Sequence, residues 1–317
     1  MGGYEVCLQE NYQPSEEPVS KINCFFLTVV LCISLSISRS QSVFAGDSDL
    51  TAEQVVAEHV KSIGSPAALA EIKSQSFIGT VSAQFFQGMH GSMTGTSMLV
   101  SEGKKLAIVF KFGDINNYPG EYFAFDGNDV SVGHISPGQK SPLADFIFRY
   151  NGLMKAGLMG GVMSGAWPLL DQEKTARLKC RKVTADGSQL YEIVYRPNKG
   201  LGDVKIKMYF DSKTFRHVKT EYQVRIKDDN SVRGPEGSVR PSQGRVAIED
   251  VLPESIYVLV EKFDDFKKVG TVVLPCTYRI EYSVDGQGRA FVGKWEIKAA
   301  QWGFNQTYDE RIFKAQK

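Results

Sequence analysis

Residues 77–85 read Phe-Ile-Gly-Thr-Val-Ser-Ala-Gln-Phe, with apolar and polar side chains alternating in the second half. This period of two predicts a β-strand with one buried and one solvated face. The same alternation returns in residues 106–112 and 204–210, and Gly-rich or Asp-rich turns separate the alternating stretches. The sequence Asp-Gly-Asn at residues 126–128 is typical of a β-hairpin. We therefore expect antiparallel strands joined by short turns, as in a meander.

Two short helices are predicted in front of the first strand. Thr51 and Gln54 have the spacing of a capping box, and apolar residues recur at helical spacing up to Ile63. Gly64 ends this helix, and Pro66 begins a second helix at the position where proline is favoured. The fold class expected for the chain is α+β and mainly β: a large antiparallel sheet curved into an unclosed half-barrel, with short helices over its concave face.

The first 45 residues resemble a secretory signal peptide. Residues 25–37 form an apolar run of 13 residues after Lys21, and Val-Phe-Ala at 43–45 is suited to cleavage after Ala45. A membrane-spanning helix needs about 20 apolar residues, so the run is too short for an anchor. The chain is therefore expected to be exported to the periplasm. Residues 1–18 are acidic, which is unusual ahead of a signal, and we hypothesise that translation begins at Val19.

Residues 46–317 are expected to form a single domain, because no stretch has the composition of a linker. Residues 228–254 are polar and rich in Gly and Pro near their centre, which predicts a mobile loop. Only Cys180 and Cys276 remain after signal removal. In an oxidising compartment they could pair, and equally both could be buried as small apolar residues.

The stretch from Phe146 to Trp167 is the strongest functional signal. It is rich in Leu, Met and Gly and follows no single period. Methionine is flexible and suits surfaces that accept varied apolar partners. The predicted ligand-binding residues of an apolar cavity or lid are Phe146, Leu153, Met154, Leu158, Met159, Met163 and Trp167. Either these residues form a lid, which the glycines between them allow to move, or they fill the sheet as permanent core.

The order of these elements resembles the periplasmic lipoprotein-carrier superfamily, the LolA/LolB-like proteins described as outer-membrane lipoprotein-sorting proteins. The likeness rests on the two leading helices, the strand pair at 191–195 and 210–215, and the closing run. That run is Phe-Asp-Asp-Phe-Lys-Lys-Val-Gly at 263–270, Val-Leu-Pro at 273–275 and Tyr-Arg-Ile at 278–280. The resemblance implies an open half-barrel with an apolar concave face that holds acyl chains. The loop at 228–254 departs from the family's pattern.

Charge and motifs argue against other classes of protein. The chain has 37 basic and 36 acidic residues, so it lacks the excess of positive charge expected of a nucleic-acid binder. Its four histidines have no metal-ligand spacing, and the sequence contains no Cys-x-x-Cys, phosphate loop or Gly-x-Ser-x-Gly motif. We therefore expect no cofactor, no metal, no catalytic residue and no enzyme activity.

The function expected from the sequence is that of a periplasmic carrier, which binds lipid or lipoprotein acyl chains and delivers them within the cell envelope. Its partners would be a lipid or acylated lipoprotein cargo and membrane proteins of the envelope, and the carrier itself would be a monomer. The alternative is a non-catalytic structural or interaction module of the envelope, in which side chains fill the cavity.

Overall fold

The structure is a computed structural model that describes residues 4–6, 50–87, 91–113, 118–170, 179–196, 201–227, 254–286 and 290–315. The predicted signal peptide, apart from residues 4–6, lies outside the described residues, and so does nearly all of the loop predicted at 228–254. Both remain predictions.

The described residues form thirteen strands in one antiparallel sheet. The strands are β1 (Tyr4–Val6), β2 (Ser74–Gln87), β3 (Gly91–Glu102), β4 (Lys105–Phe112), β5 (Gly120–Phe125), β6 (Val130–Val132), β7 (Lys179–Ala185), β8 (Ser188–Tyr195), β9 (Lys205–Asp211), β10 (His217–Lys227), β11 (Glu254–Val269), β12 (Val272–Asp285) and β13 (Phe291–Phe304). Twelve of them follow the order β6-β5-β4-β3-β2-β13-β12-β11-β10-β9-β8-β7. β1 pairs beside β13 at Gln301–Gly303.

This strand order sets the path of the chain. β2 to β6 form one meander that ends at one edge of the sheet, and β7 begins a second meander at the opposite edge. The second meander returns to the middle, where β13 pairs with β2. Since β6 and β7 do not pair, the sheet is not closed into a barrel, as predicted. The segment between β6 and β7 must cross the sheet from edge to edge, which places it on one face.

The helices are short. They are α1 (Ala52–Ile63), α2 (Pro66–Glu71), α3 (Pro142–Arg149) and α4 (Gly152–Lys155), with 3-10 turns at Gly161–Met163, Pro168–Leu170 and Glu310–Phe313. The predicted capping box is present, since Thr51 Oγ1 accepts from the Gln54 amide and the Gln54 side chain accepts from the Thr51 amide. Among the described residues, no helix is long and apolar enough to cross a membrane.

The crossing segment is held to two distant strands of the sheet. The Gly160 amide donates to Glu261 on β11 at 2.8 Å, and the Gly165 amide donates to Ser101 on β3 at 2.7 Å. β11 and β3 are four strand spacings apart in the sheet order. The segment therefore contacts both meanders of the open sheet.

The two mature cysteines are far apart. Cys180 lies on β7 and Cys276 on β12, five strand spacings away in the sheet order. The structure has no disulfide between them. Of the two cysteines expected to be buried if they do not pair, Cys276 is buried and Cys180 is half-buried.

Candidate functional site

We call residues 146–167 the plug segment, because its apolar side chains fill the face of the sheet that they cross. The seven residues predicted to form a cavity or lid are Phe146, Leu153, Met154, Leu158, Met159, Met163 and Trp167, and none is more than 2% exposed. They belong to the main hydrophobic core and do not line the two cavities discussed below. In this state the predicted lid residues are packed as core.

A buried carboxyl group holds the plug segment to the sheet. Glu261 on β11 is fully buried and accepts a hydrogen bond from the Gly160 amide. The hydroxyls of Tyr222 and Tyr278 also contact this carboxyl, the first at 2.7 Å. Tyr222 Oη lies 2.9 Å from the carbonyl oxygen of Leu158 as well. The plug segment is therefore tied to β10, β11 and β12 through one polar cluster.

These contacts are best satisfied when Glu261 is protonated. Tyr222 has one proton, yet its oxygen lies close to two acceptors, Glu261 Oε2 and the Leu158 carbonyl. If Glu261 carries a proton on Oε2, it donates to Tyr222, and Tyr222 donates to Leu158. Burial raises the pKa of Glu261, although hydrogen bonds from Tyr278, Gly160 and Tyr222 oppose the rise. Among the described residues no cation pairs with this carboxyl, so the neutral form fits the site.

A histidine on α1 joins the plug segment from the other side. His59 Nδ1 is 3.0 Å from the Phe215 carbonyl, and the Trp167 indole donates to His59 Nε2 at 3.4 Å. His217 stacks on Trp167, with ring centroids 4.9 Å apart. Burial lowers the pKa of His59 to about 4 against a partial opposing effect of the Phe215 carbonyl. His59 is thus a neutral histidine of the core.

His59 is expected to stay neutral in the folded protein until the pH falls to about 4. The folded-state pKa is below the unfolded value, so this group's stabilisation is present above pH about 6.5 and is lost as pH falls toward 4. Between pH 6.5 and 4 the free energy of unfolding should fall by up to about 1.4 kcal/mol per pH unit. An NMR titration of the ring signals measures the pKa, with the urea-unfolded chain as reference. A folded-state midpoint near the unfolded one would contradict the assignment.

An apolar cleft opens where α1 and α2 cover the plug segment, and we call it the helix cleft. It has a volume of about 310 Å³ and is lined by Ile63, Leu69, Ala70, Ile72, Gln75, Val162, Gly165, Leu170, Val272 and Leu274. Its interior residues are buried, whereas Leu69, Ile72 and Leu170 at the mouth are half-buried, and Ala70 and Gly165 are exposed. Both its size and its apolar lining lie in the range of small-molecule pockets.

Gln75 supplies the cleft's only polar side chain among the described lining residues, and it is already satisfied. Its amide nitrogen donates to the carbonyl oxygen of Val162 at 3.0 Å. A ligand in the cleft would therefore meet mostly methyl and methylene groups. The structure thus supports burial of an apolar chain and offers no group there for acid–base chemistry.

The elements that form the cleft were predicted from the sequence, but the residues that line it were not. The plug segment contributes Val162 and Gly165, neither of which was among the predicted site residues. Val272 and Leu274 come from β12, where the Val-Leu-Pro run was noted only as a family pattern. Several lining residues, among them Val162, Val272 and Leu274, also belong to the hydrophobic core, so no local sequence signal separates the two sets.

Comparisons with known proteins identify two solved structures of low similarity. No protein-family model matches the chain, and no curated protein matches it. A DUF1329 family protein from Desulfovibrio piger is 10% identical with a TM-score of 0.38, over 83% of this chain and 96% of that chain. MucB in the Pseudomonas aeruginosa MucA/MucB complex is 10% identical with a TM-score of 0.21, over 78% and 93% respectively. Likenesses at this level transfer no function to this chain.

The polar groups around the plug segment have partners within the protein. Within the described ranges, no three His, Cys, Asp or Glu residues are grouped so that they could hold a metal ion. The polar groups around the plug segment, Glu261, Tyr222 and His59, all lie in the core and contact one another or backbone atoms. They hold the segment in place rather than face a substrate.

Proposed function

We propose that the chain is a periplasmic, non-catalytic carrier that binds an acyl chain of a lipid or lipoprotein in the helix cleft and delivers it within the cell envelope. The observation that supports this proposal is the cleft itself: nine of its ten lining residues are aliphatic or glycine, and its one amide is engaged. Each methylene buried there contributes about 0.8 kcal/mol. The cargo would pass to membrane proteins of the envelope, with the carrier acting as a monomer.

A second candidate function is favoured by the plug segment. Its seven predicted site residues are core, and Glu261 and Ser101 hold its backbone at two points. A face filled in this way suits a structural or interaction module of the envelope that carries no cargo. The two functions differ in one property, which is whether the helix cleft takes up an apolar chain.

The helix cleft is expected to bind saturated fatty acids with an affinity that rises about fourfold per methylene, as about 0.8 kcal/mol per buried CH₂ requires. The rise should stop once the cleft is full. Isothermal titration of the full chain with a series from hexanoate to myristate measures this rise in affinity. Replacing Ala70 with tryptophan should weaken binding at least about tenfold, because Ala70 lines the mouth and is exposed, so the larger ring fills the cleft without entering the core.

Ala67→Trp is the matched control. Ala67 lies on the same helix and is also exposed, but it does not line the cleft, so its variant should bind like the unmodified chain. Equal weakening by both variants would place binding elsewhere. The absence of saturable binding across the whole series would overturn the carrier proposal and favour the interaction module.

A further inference from the structure

A second and larger cavity lies at the end of the sheet, and we call it the end cavity. It has a volume of about 590 Å³. Its lining residues are Gly138, Gln139, Lys140, Ser141, Pro142, Asp145, Arg149, Tyr257, Tyr282, Val284, Ala290 and Phe291. They come from α3 and the turn before it, and from the ends of β11, β12 and β13 that meet there. None of them lines the helix cleft.

The wall of the end cavity that the sheet provides is aromatic. Tyr257, Val284 and Phe291 follow one another across β11, β12 and β13 in direct register. The ring of Tyr282 lies 6.0 Å from that of Phe291 and 5.2 Å from that of Phe146, centroid to centroid. Aromatic rings attract other flat rings in offset or edge-to-face geometry, by about 0.5–1.5 kcal/mol per pair beyond the area they bury.

One hydroxyl on this wall is open to the cavity. Tyr282 is only 2% exposed, and the described residues give its hydroxyl no hydrogen-bond partner. This hydroxyl keeps some access to solvent, so it does not carry the cost of an unsatisfied buried group. Because Tyr282 lines the cavity, a ligand oxygen placed there can satisfy this hydroxyl. The remaining hydroxyl of the wall belongs to Tyr257, which is half-buried.

The rim of the end cavity has a positive charge. Lys140, Arg149 and Asp145 are its charged lining residues, which leaves one net positive charge. Arg149 and Asp145 pair with each other at 2.7 Å. Lys140 has no carboxylate partner among the described residues, and its ammonium lies 4.5 Å from the ring centroid of Phe148. An acidic group on the ligand would therefore meet an uncompensated cation.

We propose that the end cavity is a second binding site, separate from the helix cleft, for a small aromatic acid whose ring packs on Tyr257, Tyr282 and Phe291. The acid group binds near Lys140, and the Tyr282 hydroxyl donates to a ligand oxygen. The site does not depend on the carrier function, since a chain that takes no acyl group would keep the same aromatic wall and the same rim charge.

The probe is 2-naphthoate, titrated calorimetrically into the purified full chain, with decanoate as an aliphatic acid of the same charge. The expected result is saturable binding of naphthoate that weakens with added salt. Lys140→Gln should weaken it at least about fivefold, and Tyr282→Phe about fivefold through the lost hydrogen bond. Ala290→Trp should abolish it, because Ala290 is exposed and lines the cavity, so the ring blocks the site without disturbing the core.

The helix-cleft variant Ala70→Trp is the matched control and should bind naphthoate like the unmodified chain. Loss of naphthoate binding in that variant, or full binding in Ala290→Trp, would overturn the assignment to the end cavity. No saturable binding of naphthoate would overturn the proposal as a whole. Decanoate that binds as tightly as naphthoate, and is blocked equally by Ala290→Trp, would overturn the aromatic class of ligand.

Discussion

Replacing Glu261 with alanine is expected to lower the free energy of unfolding by about 2–6 kcal/mol, because two buried polar groups lose their partner at once. These groups are the amide of Gly160 and the hydroxyl of Tyr278, whereas Tyr222 can still donate to the Leu158 carbonyl. The loss should concern the plug segment first, since Gly160 is its contact with β11. Urea unfolding measures the total loss, and hydrogen exchange of the Gly160 amide measures the local one.

Glu261→Gln tests whether the site needs the neutral acid, because glutamine has the same size as glutamic acid and cannot ionise. The glutamine amide can donate to Tyr222 while its oxygen accepts from Tyr278 and Gly160, as the neutral acid does. The variant should therefore unfold within about 1 kcal/mol of the unmodified chain at pH 5. A glutamine variant as unstable as the alanine variant would show that the neutral acid is not what the site needs.

The pH dependence gives an independent check on the same group. The pKa of Glu261 is raised in the folded chain, so its stabilisation is complete below the unfolded value near 4.5 and is lost as pH rises through the folded pKa. Glutamine does not titrate, so the Glu261→Gln variant does not lose stability in this way as pH rises. The unmodified chain should thus become less stable relative to Glu261→Gln as pH rises from 4 to 8. A difference that does not change with pH would contradict a raised pKa.

The sheet could be predicted because its signals are local. Alternation along residues 77–85 and 106–112 sets the strands, and the Asp-Gly-Asn turn at 126–128 sets a hairpin. The capping box at Thr51 likewise depends on four neighbouring residues. The open half-barrel was expected from a family resemblance. The pairing between β2 and β13 was not predicted, because it joins residues more than 200 positions apart.

The candidate sites were harder to predict, for a physical reason. A stretch whose methionines line a cavity and a stretch whose methionines fill a core can have the same composition and the same residue spacing. Only the three-dimensional packing distinguishes them. The sequence therefore indicated the plug segment but not which of its residues line a cavity. Its large residues are core, and its cleft-lining residues are Val162 and Gly165. The link from Glu261 to Gly160 spans 101 residues, and no local pattern indicates it.

The glycines of the plug segment have a role in the structure that differs from the one expected from the sequence. From the sequence they would let the segment move. In the structure Gly157 has a φ of +69°, and a Cβ built on it would lie 2.1 Å from the carbonyl oxygen of Ala166. That contact is with backbone on the neighbouring turn, so no side-chain rotation relieves it. At this position glycine allows close packing.

Gly157→Ala should accordingly destabilise the fold by at least about 3 kcal/mol, the sum of a left-handed φ for a non-glycine residue and displaced backbone in the core. Gly103→Ala is the matched control: its φ is +54°, and its Cβ would meet no atom within 4 Å. It should therefore cost only the conformational term, about 1–2 kcal/mol. Urea unfolding of both variants isolates the packing contribution as their difference. Equal losses would mean that the turn between Gly157 and Ala166 yields readily, and the segment would then have the mobility that a lid requires.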